Sequence, residues 1–305
     1  MKYVITGATG LLGSAIVKKL TGPEAQITAI SRNAASAAKR LPAGVQCVDW
    51  GDDRWKADVR AADVIINLAG ESVGGGRWTP EFKKKLTDSR VLITRNLVAA
   101  MRRDGPPITL INASAVGYYG DTGTGPEKVT EAHAPSTDFL GQLCVEWEKE
   151  ALAATGFARV ALIRTGLVLA HGGALEKILY PLPVHLSPLK LGLGGPLGSG
   201  KQWWPWIHIE DAAGIFVWAA QTDSVVGPIN ATAPHPVTNK LFTQTLASLL
   251  HRPAMLPVPG FALRMIAGEF ASALLTGQNA VPEAATKLGY KFEYPDLGGA
   301  LKSLL

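Results

Sequence analysis

A doubly wound, parallel α/β sheet with a smaller, discontinuous C-terminal cap is the fold class the sequence predicts, and three observations predict it. Short apolar runs rich in β-branched residues alternate with helical patterns over roughly the first 165 residues, the rhythm of strand–helix–strand units. Gly7, Gly10 and Gly13 crowd the junction between the first run and the first helical pattern, where a tight strand-to-helix turn needs them. Gly13, Arg32, Gly70 and Ser114 fall at or just after predicted strand ends, where open α/β sheets bind ligands.

Taken in order, Lys2–Thr6 is the first strand, and a helix follows the glycine turn as far as Leu20. A Gly22-Pro23 turn leads to a second strand over 26–30, tipped by Ser31-Arg32. A polar, alanine-rich link over 33–42 precedes a third strand at 45–48, which ends at Asp49. Residues 64–68 are too few for a helix and rich in β-branched side chains, so they read as a buried parallel strand ending in Asn67-Leu68-Ala69-Gly70. Thr79-Pro80, with Glu81 in the first turn, starts a helix that runs to about Arg102, and Pro106-Pro107 bar its continuation. A strand over 108–113 ends at Ser114. A Gly- and Thr-rich loop (117–126), a helix over 139–154 and a strand over 159–164 follow.

From Gly172 the texture changes to glycine-rich chain (192–200) and then Trp203, Trp204 and Trp206. Residues 207–211 and a helix to Ala220 read as a return to the sheet, followed by helices over 239–250 and about 261–275 and a tail over 282–305. The expected division is a dinucleotide-binding domain over 1–170, rejoined by about 205–235. The remainder of 171–305 forms a substrate-facing cap, roughly 171–204 and 236–305.

Composition narrows the function classes. With 47% hydrophobic and 18% charged residues the chain has the make-up of a folded globular protein, not a disordered one. A net charge of +5 is modest, and Lys83-Lys84-Lys85 is the only basic triplet, so no nucleic-acid surface is expected and the triplet reads as a solvated helix face. No apolar stretch nears the ~20 residues of a membrane span. Cys47 and Cys144 lie far apart and suit a reducing compartment, so the expected location is cytoplasmic. The six histidines lack ligand spacing, and no metal is expected.

The chemistry begins at the turn. Its glycines let backbone approach a pyrophosphate, whose charge sits well at the N-terminus of the helix that follows. The acid that would hold a ribose 2′-hydroxyl at the tip of the second strand is replaced by Ser31-Arg32, which favours a 2′-phosphate. The expected cofactor is therefore NADP.

The run Thr6-Gly7-Ala8-Thr9-Gly10-Leu11-Leu12-Gly13 resembles the glycine signature of extended short-chain dehydrogenases/reductases, and Asn67-Leu68-Ala69-Gly70 supports it. More narrowly, the chain resembles the atypical "epimerase family" subgroup, which includes plastid-division and cell-division-inhibitor-like proteins. The carrying segments are 67–73, Ser89-Arg90, 114–120, 138–148, 162–170, 192–213 and 277–297. The resemblance implies that Thr9, Gly10, Leu11 and Leu12 lie along the pyrophosphate, Ser31 and Arg32 at the 2′-phosphate, and Leu68, Ala69 and Gly70 beside the adenosine. It further implies that Leu169 and its strand pass near the nicotinamide and that Arg90 is a second phosphate-side cation. Asp49 either bonds the adenine amine or caps a turn.

Reductases of this superfamily pair a tyrosine with a lysine four residues later, the ammonium making the phenol a better acid–base group. None of the six tyrosines here has lysine at that offset, and the expected helix start, 138–144, carries neither group. Ser114, or equally Ala115, matches the superfamily's catalytic serine, and Tyr118 and Tyr119 stand as alternative proton donors or as loop packing. The expected function is an NADP(H)-binding reductase or epimerase acting on an unknown small molecule. The alternative is a non-catalytic NADP(H)-responsive protein acting on a protein partner; a homo-oligomer is a further possibility.

Other candidates resolve differently. Gly195 to Lys201 has phosphate-loop spacing, but Gln202 replaces the Ser/Thr for Mg²⁺ and Pro205 precludes the helix, so it is set aside. His208 and Asp211 read as the hydrogen-bonded corner of the return to the sheet. The three tryptophans either line an apolar pocket or anchor the cap.

Overall fold

The computed structural model describes residues 1–173, 194–254 and 256–305. The expected substrate-facing stretch over 174–193 lies outside the described residues. Strands β1 (Lys2–Thr6), β2 (Gln26–Ser31), β3 (Gln46–Asp49), β4 (Val64–Asn67), β5 (Ile108–Ala115) and β6 (Ala158–Thr165) come first. They are followed by β7 (Leu167–Leu169), β8 (Trp203–Trp204), β9 (Trp206–His208), β10 (Gly227–Ala231) and β11 (Val237–Thr238). Among the described residues, seven form one sheet in the order β10-β6-β5-β4-β1-β2-β3, all paired in parallel. The order reverses between β1 and β4, so the crevice where ligands settle in such sheets opens beside the glycine turn.

Helices cover both faces, as an apolar parallel sheet requires. On one side α1 (Leu11–Leu20) packs against the later helix α6 (Ile209–Gln221), burying Ile16, Val17, Ile215 and Phe216 with Ile5, Ile66 and Ile163. On the other, α3 (Arg54–Ala61), α4 (Pro80–Ala100) and α5 (Phe139–Leu152) bury Val59, Leu97, Val98 and Ala151 against Ile65 and Leu110. Thr79 caps α4 by accepting the Phe82 N–H, and Pro80 occupies its first turn, as expected. A third cluster joins Trp204, Trp206, Phe242, Leu246 and Leu301 around α7 (Asn239–Leu249) and the tail.

Four elements depart from expectation, each for a physical reason. The link over 33–42 holds a short helix, α2 (Ala34–Ala38), because Asn33 Oδ1 accepts the Ser36 N–H and caps it. Helix α3 lies where no helical pattern is written, because its only buried residues are Trp55 and Val59, too few to make a stripe. Strand β10 carries Pro228, which argues against a strand, and is tolerated because β10 is the sheet edge. The expected helix over 261–275 breaks into α8 (Gly260–Ala267), a short 3₁₀ turn and α9 (Ala271–Leu275), because Gly268 adopts φ +61°.

The tail returns through α10 (Glu283–Lys287) and α11 (Leu297–Lys302) and is fastened to the sheet by α6. The fully buried Asp211 carboxylate accepts the Glu293 and Tyr294 N–H groups, both at 2.8 Å, and the Tyr290 hydroxyl donates to the Asp211 carbonyl at 3.1 Å. His208 caps α6 through Nδ1, stacks on Tyr294 with ring centroids 3.9 Å apart, and meets Ser303 Oγ through Nε2 at 3.2 Å. Burial holds the imidazole below its ordinary pKa, so it sits neutral in the corner. We predict that Asp211→Ala, which removes a buried carboxylate and leaves two part-buried amides without their acceptor, lowers stability by about 2 kcal/mol in urea unfolding. Because the His208 pKa is depressed by folding, stability also falls as pH drops below the unfolded value of about 6.5. A His208→Gln variant should lose part of that slope.

Candidate functional site

The site rests on a buried polar ladder. Thr6 Oγ1, at the end of β1, donates to Asn67 Oδ1 at 2.6 Å and accepts the N–H groups of Leu68 and Ala69. Asn67 Nδ2 donates to Asn112 Oδ1 on β5 at 2.6 Å and to Thr94 Oγ1 on α4 at 2.8 Å. Trp147 on α5 gives its indole N–H to the same Thr94 hydroxyl at 2.9 Å. Thr6, Asn67, Thr94 and Asn112 are all buried, so each hydrogen bond is made away from water, where leaving one unmade is costly.

On this floor sits the glycine turn. Gly7 adopts φ +68°, and a Cβ there would come within 2.8 Å of the Leu68 carbonyl oxygen. A Cβ on Gly13 would lie 2.2 Å from the Gly7 carbonyl oxygen, so only glycine lets α1 pack onto its own turn. Gly10 is the exposed N-cap of α1, with no side-chain capping hydrogen bond. The N-terminal end of the helix, where its dipole favours negative charge, therefore presents bare backbone.

A cavity of ≈ 390 Å³ opens above the turn. Gly7, Gly10, Leu11, Leu12 and Gly13 form one wall, Leu68 and Arg90 a second, and Ser114, Ala115, Leu140, Cys144 and Thr165 the far end. A larger depression of ≈ 560 Å³ runs along the outer side of α4 between Trp50 and Leu92 and includes no residue of the turn.

The sequence-predicted cofactor residues distribute around the cavity unevenly. Thr9 belongs to the turn, and its carbonyl accepts from Arg40 Nη2 at 2.8 Å. Ser31 and Arg32 end β2, beside the turn, with Arg32 exposed. Asp49 spends Oδ1 on the Gly51 N–H at 2.9 Å, the turn-capping alternative for that residue. Ala69 and Gly70 continue from Leu68, and Gly70 lies against the Arg90 guanidinium, where a Cβ would meet Cζ at 3.0 Å. Arg90 reaches the wall but is also structural: Nη1 donates to the Leu86 carbonyl, Nη2 to that of Glu71, and the group lies over the Trp147 ring. Leu169 is fully buried among Trp204, Trp206 and Phe242, away from the cavity, because β7 turns out to pair with β9; Thr165 at the end of β6 lines the cavity instead.

The two tyrosines offered as alternative proton donors lie outside the cavity lining. Tyr119 is buried, its hydroxyl donating to Asn230 Oδ1 at 2.7 Å and accepting from Arg164 Nη1 at 3.1 Å. Burial pushes its pKa up to about 12, so it is a fixed strut rather than a ready proton donor. Tyr118 lies under the Arg164 guanidinium, 3.5 Å from ring centroid to Cζ, a packing role outside the cavity wall. Ser114, by contrast, lines the cavity and donates to Glu148 Oε1 at 2.6 Å.

Sequence reading missed what stands behind that serine. Glu148 and Arg164, both almost wholly buried, pair bidentately at 2.8 and 2.9 Å. The signal was weak: an acid on a helix and a second arginine in a mostly apolar strand, which β-strand patterning alone leaves without a partner. Leu140 and Cys144, one turn apart on α5 within the helix start expected to carry a tyrosine–lysine pair, line the cavity. Burial pushes the Cys144 thiol up to about 11, so it does not replace the missing ammonium as an acid–base group.

The remaining candidates are structural. Trp203 gives its indole N–H to the Gly125 carbonyl and Trp206 to that of His235, while Trp204 and Trp206 fill the third core cluster, so the three are anchors. The basic triplet is paired off on the surface, Lys83 with Glu269, Lys84 with Asp88 and Lys85 with Glu71. No helix among the described residues is long and apolar enough to cross a membrane.

Residues 3–231 match the NAD dependent epimerase/dehydratase family, and residues 258–304 match a domain of unknown function, DUF1731. The chain belongs to the NAD dependent epimerase/dehydratase family, with the glycine turn and parallel sheet that define it. Within it, similarity runs full length to atypical epimerase family proteins of the short-chain dehydrogenase/reductase type. It is 39% identical over 310 residues to the epimerase family protein YfhF of Bacillus subtilis, covering 100% of this chain and 98% of that one. It is 37% identical over 313 residues to the chloroplastic SDR39U1 homologue of Arabidopsis thaliana, covering 100% of this chain and 87% of that protein. The crystal structure of human epimerase family protein SDR39U1 (isoform 2) with NADPH superposes with a TM-score of 0.85 at 32% identity, covering 100% and 99% of the two chains.

Removing one partner of the Glu148–Arg164 pair leaves a buried, uncompensated charge. Arg164→Met should therefore cost about 3–5 kcal/mol in denaturant unfolding, and the Glu148→Gln/Arg164→Met double variant clearly less.

Proposed function

We propose that the protein binds NADP(H) in the cavity above the glycine turn and uses it for hydride exchange with a small alcohol or carbonyl compound. One observation carries this reading. The bare N-terminus of α1 and a turn that only glycine can make wall one cavity, and the strand beside that turn, β2, ends next to an exposed arginine instead of an acid. NADPH in the human relative supports it. Gly7 to Gly13 would hold the pyrophosphate, Ser31 and Arg32 the 2′-phosphate, and Leu68, Ala69 and Gly70 the adenosine side, with Arg90 adding its charge. Asp49 keeps one carboxylate oxygen for an adenine amine.

When bound, NADP(H) supplies or receives the hydride. The chain's own contribution centres on Ser114. Its hydroxyl hydrogen is directed at Glu148 Oε1, so its lone pairs are left for a donor in the cavity. A substrate hydroxyl bound there would donate to Ser114 Oγ, and Glu148, paired with Arg164, fixes the direction of the serine hydroxyl without giving up its own pairing. Arg164 fixes Glu148 in place, and Tyr119 and Tyr118 fix Arg164. These residues position the pair; they do not touch the reacting atoms.

A second reading, an NADP(H)-responsive protein without turnover, is favoured by Leu140 and Cys144, which leave the usual tyrosine and lysine positions without acid–base groups. Following bound NADPH fluorescence through a metabolite screen separates the two, since oxidation by a small molecule supports an enzyme.

In calorimetry, NADPH should bind at least about tenfold more tightly than NADH, and Arg32→Ala should remove most of the difference. Equal wild-type affinities would sink the NADP assignment. On a substrate found by the screen, Ser114→Ala should lower turnover about a hundredfold or more while leaving NADPH affinity within about twofold. Retained turnover would remove Ser114 from the chemistry.

A further inference from the structure

We infer that Arg40 is a second cation of the 2′-phosphate pocket and helps to set the preference for NADP(H) over NAD(H). This rests on the cofactor reading above and extends it to a residue that neither the glycine signature nor the strand-tip arginine points to.

The argument starts from where the chain carries Arg40. Strand β1 runs in register with β2, Thr6 opposite Ile30, so the turn leaving β1 and the Ser31-Arg32 tip of β2 leave the sheet side by side, about 5 Å apart. Asn33 then caps α2, and this short helix brings the chain back toward the turn. Leu41 is buried and pins the segment, while Arg40 beside it stays exposed. Its guanidinium reaches back 31 residues to donate from Nη2 to the Thr9 carbonyl at 2.8 Å. Arg40 thus stands on the turn from the α2 side, and Arg32 stands on the strand tip next to it.

That tether uses one of five N–H donors on a planar fork. The other donors are left for a ligand, and holding the side chain in advance reduces the rotamer freedom lost when a phosphate binds. Local charge agrees. Glu71, whose carboxyl is held below the usual range first by its hydrogen bond to Lys85 and also feels Arg32, is neutralised by Lys85 at 2.8 Å. Lys39, next in sequence, adds a further exposed cation. A group bearing two negative charges at this edge would meet Arg32 and Arg40, with Glu71 already paired and the Asp49 carboxylate, opposite Ser31 in the β2–β3 register, as the charge the two cations outweigh.

The rival explanation is that Arg40 only braces the turn. Bracing acts on the pyrophosphate common to both cofactors, whereas a phosphate contact acts only on the ligand that carries the 2′-phosphate. Titration calorimetry on the full chain, wild type and Arg40→Ala, with NADPH, NADH and adenosine 2′,5′-bisphosphate therefore decides between them. Arg40→Ala should weaken NADPH and the bisphosphate about tenfold each, leave NADH within about twofold, and show a smaller deficit at high salt. Arg40→Lys should recover only part of the loss, because one ammonium replaces a fork that holds carbonyl and phosphate together. Equal losses for NADPH and NADH, or no loss for either, would overturn the assignment while leaving NADP(H) binding intact. Failure of the wild-type protein to bind NADPH would overturn both. Matching melting temperatures for the variants show that a folding defect is not being read as lost affinity.

Discussion

The hydrogen bond between Thr6 and Asn67, with its extension to Asn112, Thr94 and Trp147, is the constraint on which the site depends. It joins the ends of β1, β4 and β5 to α4 and α5 in a place that water does not reach. An apolar sheet alone fixes strand order but leaves the loops beyond the strand ends free to choose their level. By accepting the N–H groups of Leu68 and Ala69, the Thr6 hydroxyl sets the height of the β4 loop against the glycine turn, and the contact between Gly7 and Leu68 follows. The cavity is thus shaped from below by polar groups, and its walls can be made of backbone and small side chains.

A second buried assembly works at the other end of the cavity. Glu148 and Arg164 would be a poor investment as an isolated ion pair, since desolvation offsets much of their attraction. Here they are joined by Ser114, Tyr119 and the ring of Tyr118, and through Asn230 they reach the edge strand β10. The arrangement orients one hydroxyl into the cavity and turns two tyrosines into supports.

What was legible in the sequence was whatever local chemistry dictates. The glycine turn is written in consecutive residues, and Gly7 and Gly13 are required by contacts within a few residues of themselves or one strand away. Strands β1, β4 and β5 and helix α4 announce themselves through uninterrupted apolar runs or a cap with proline. What was not legible depends on partners far along the chain. Ser114 finds Glu148 34 residues on, and Tyr119 finds Asn230 111 residues on, so their roles are set by topology rather than by pattern. Helix α3 and strand β10 fail a pattern test because Arg54–Ala61 alternates charged and apolar residues and Pro228 breaks the rule for central strands. The surroundings of Leu169 depend on β7 leaving the main sheet to pair with β9, which no local pattern announces.

The edge strand has a consequence for how the protein keeps apart from neighbouring chains. β10 is bound on one side by β6, and Asn230 gives its side-chain amide to the Val281 carbonyl while its backbone N–H reaches Glu131. Glu131 in turn accepts the Ala284 N–H, and Val129 bridges to Ala280. Segments near 130, 230 and 280 therefore close on one another as a set, across loops of about a hundred and fifty residues at the widest. Closing loops of that length carries an entropic cost that the contacts of this corner must offset. Where those contacts are lost, the outer edge of β10 is a sheet edge open to pairing with a neighbouring chain.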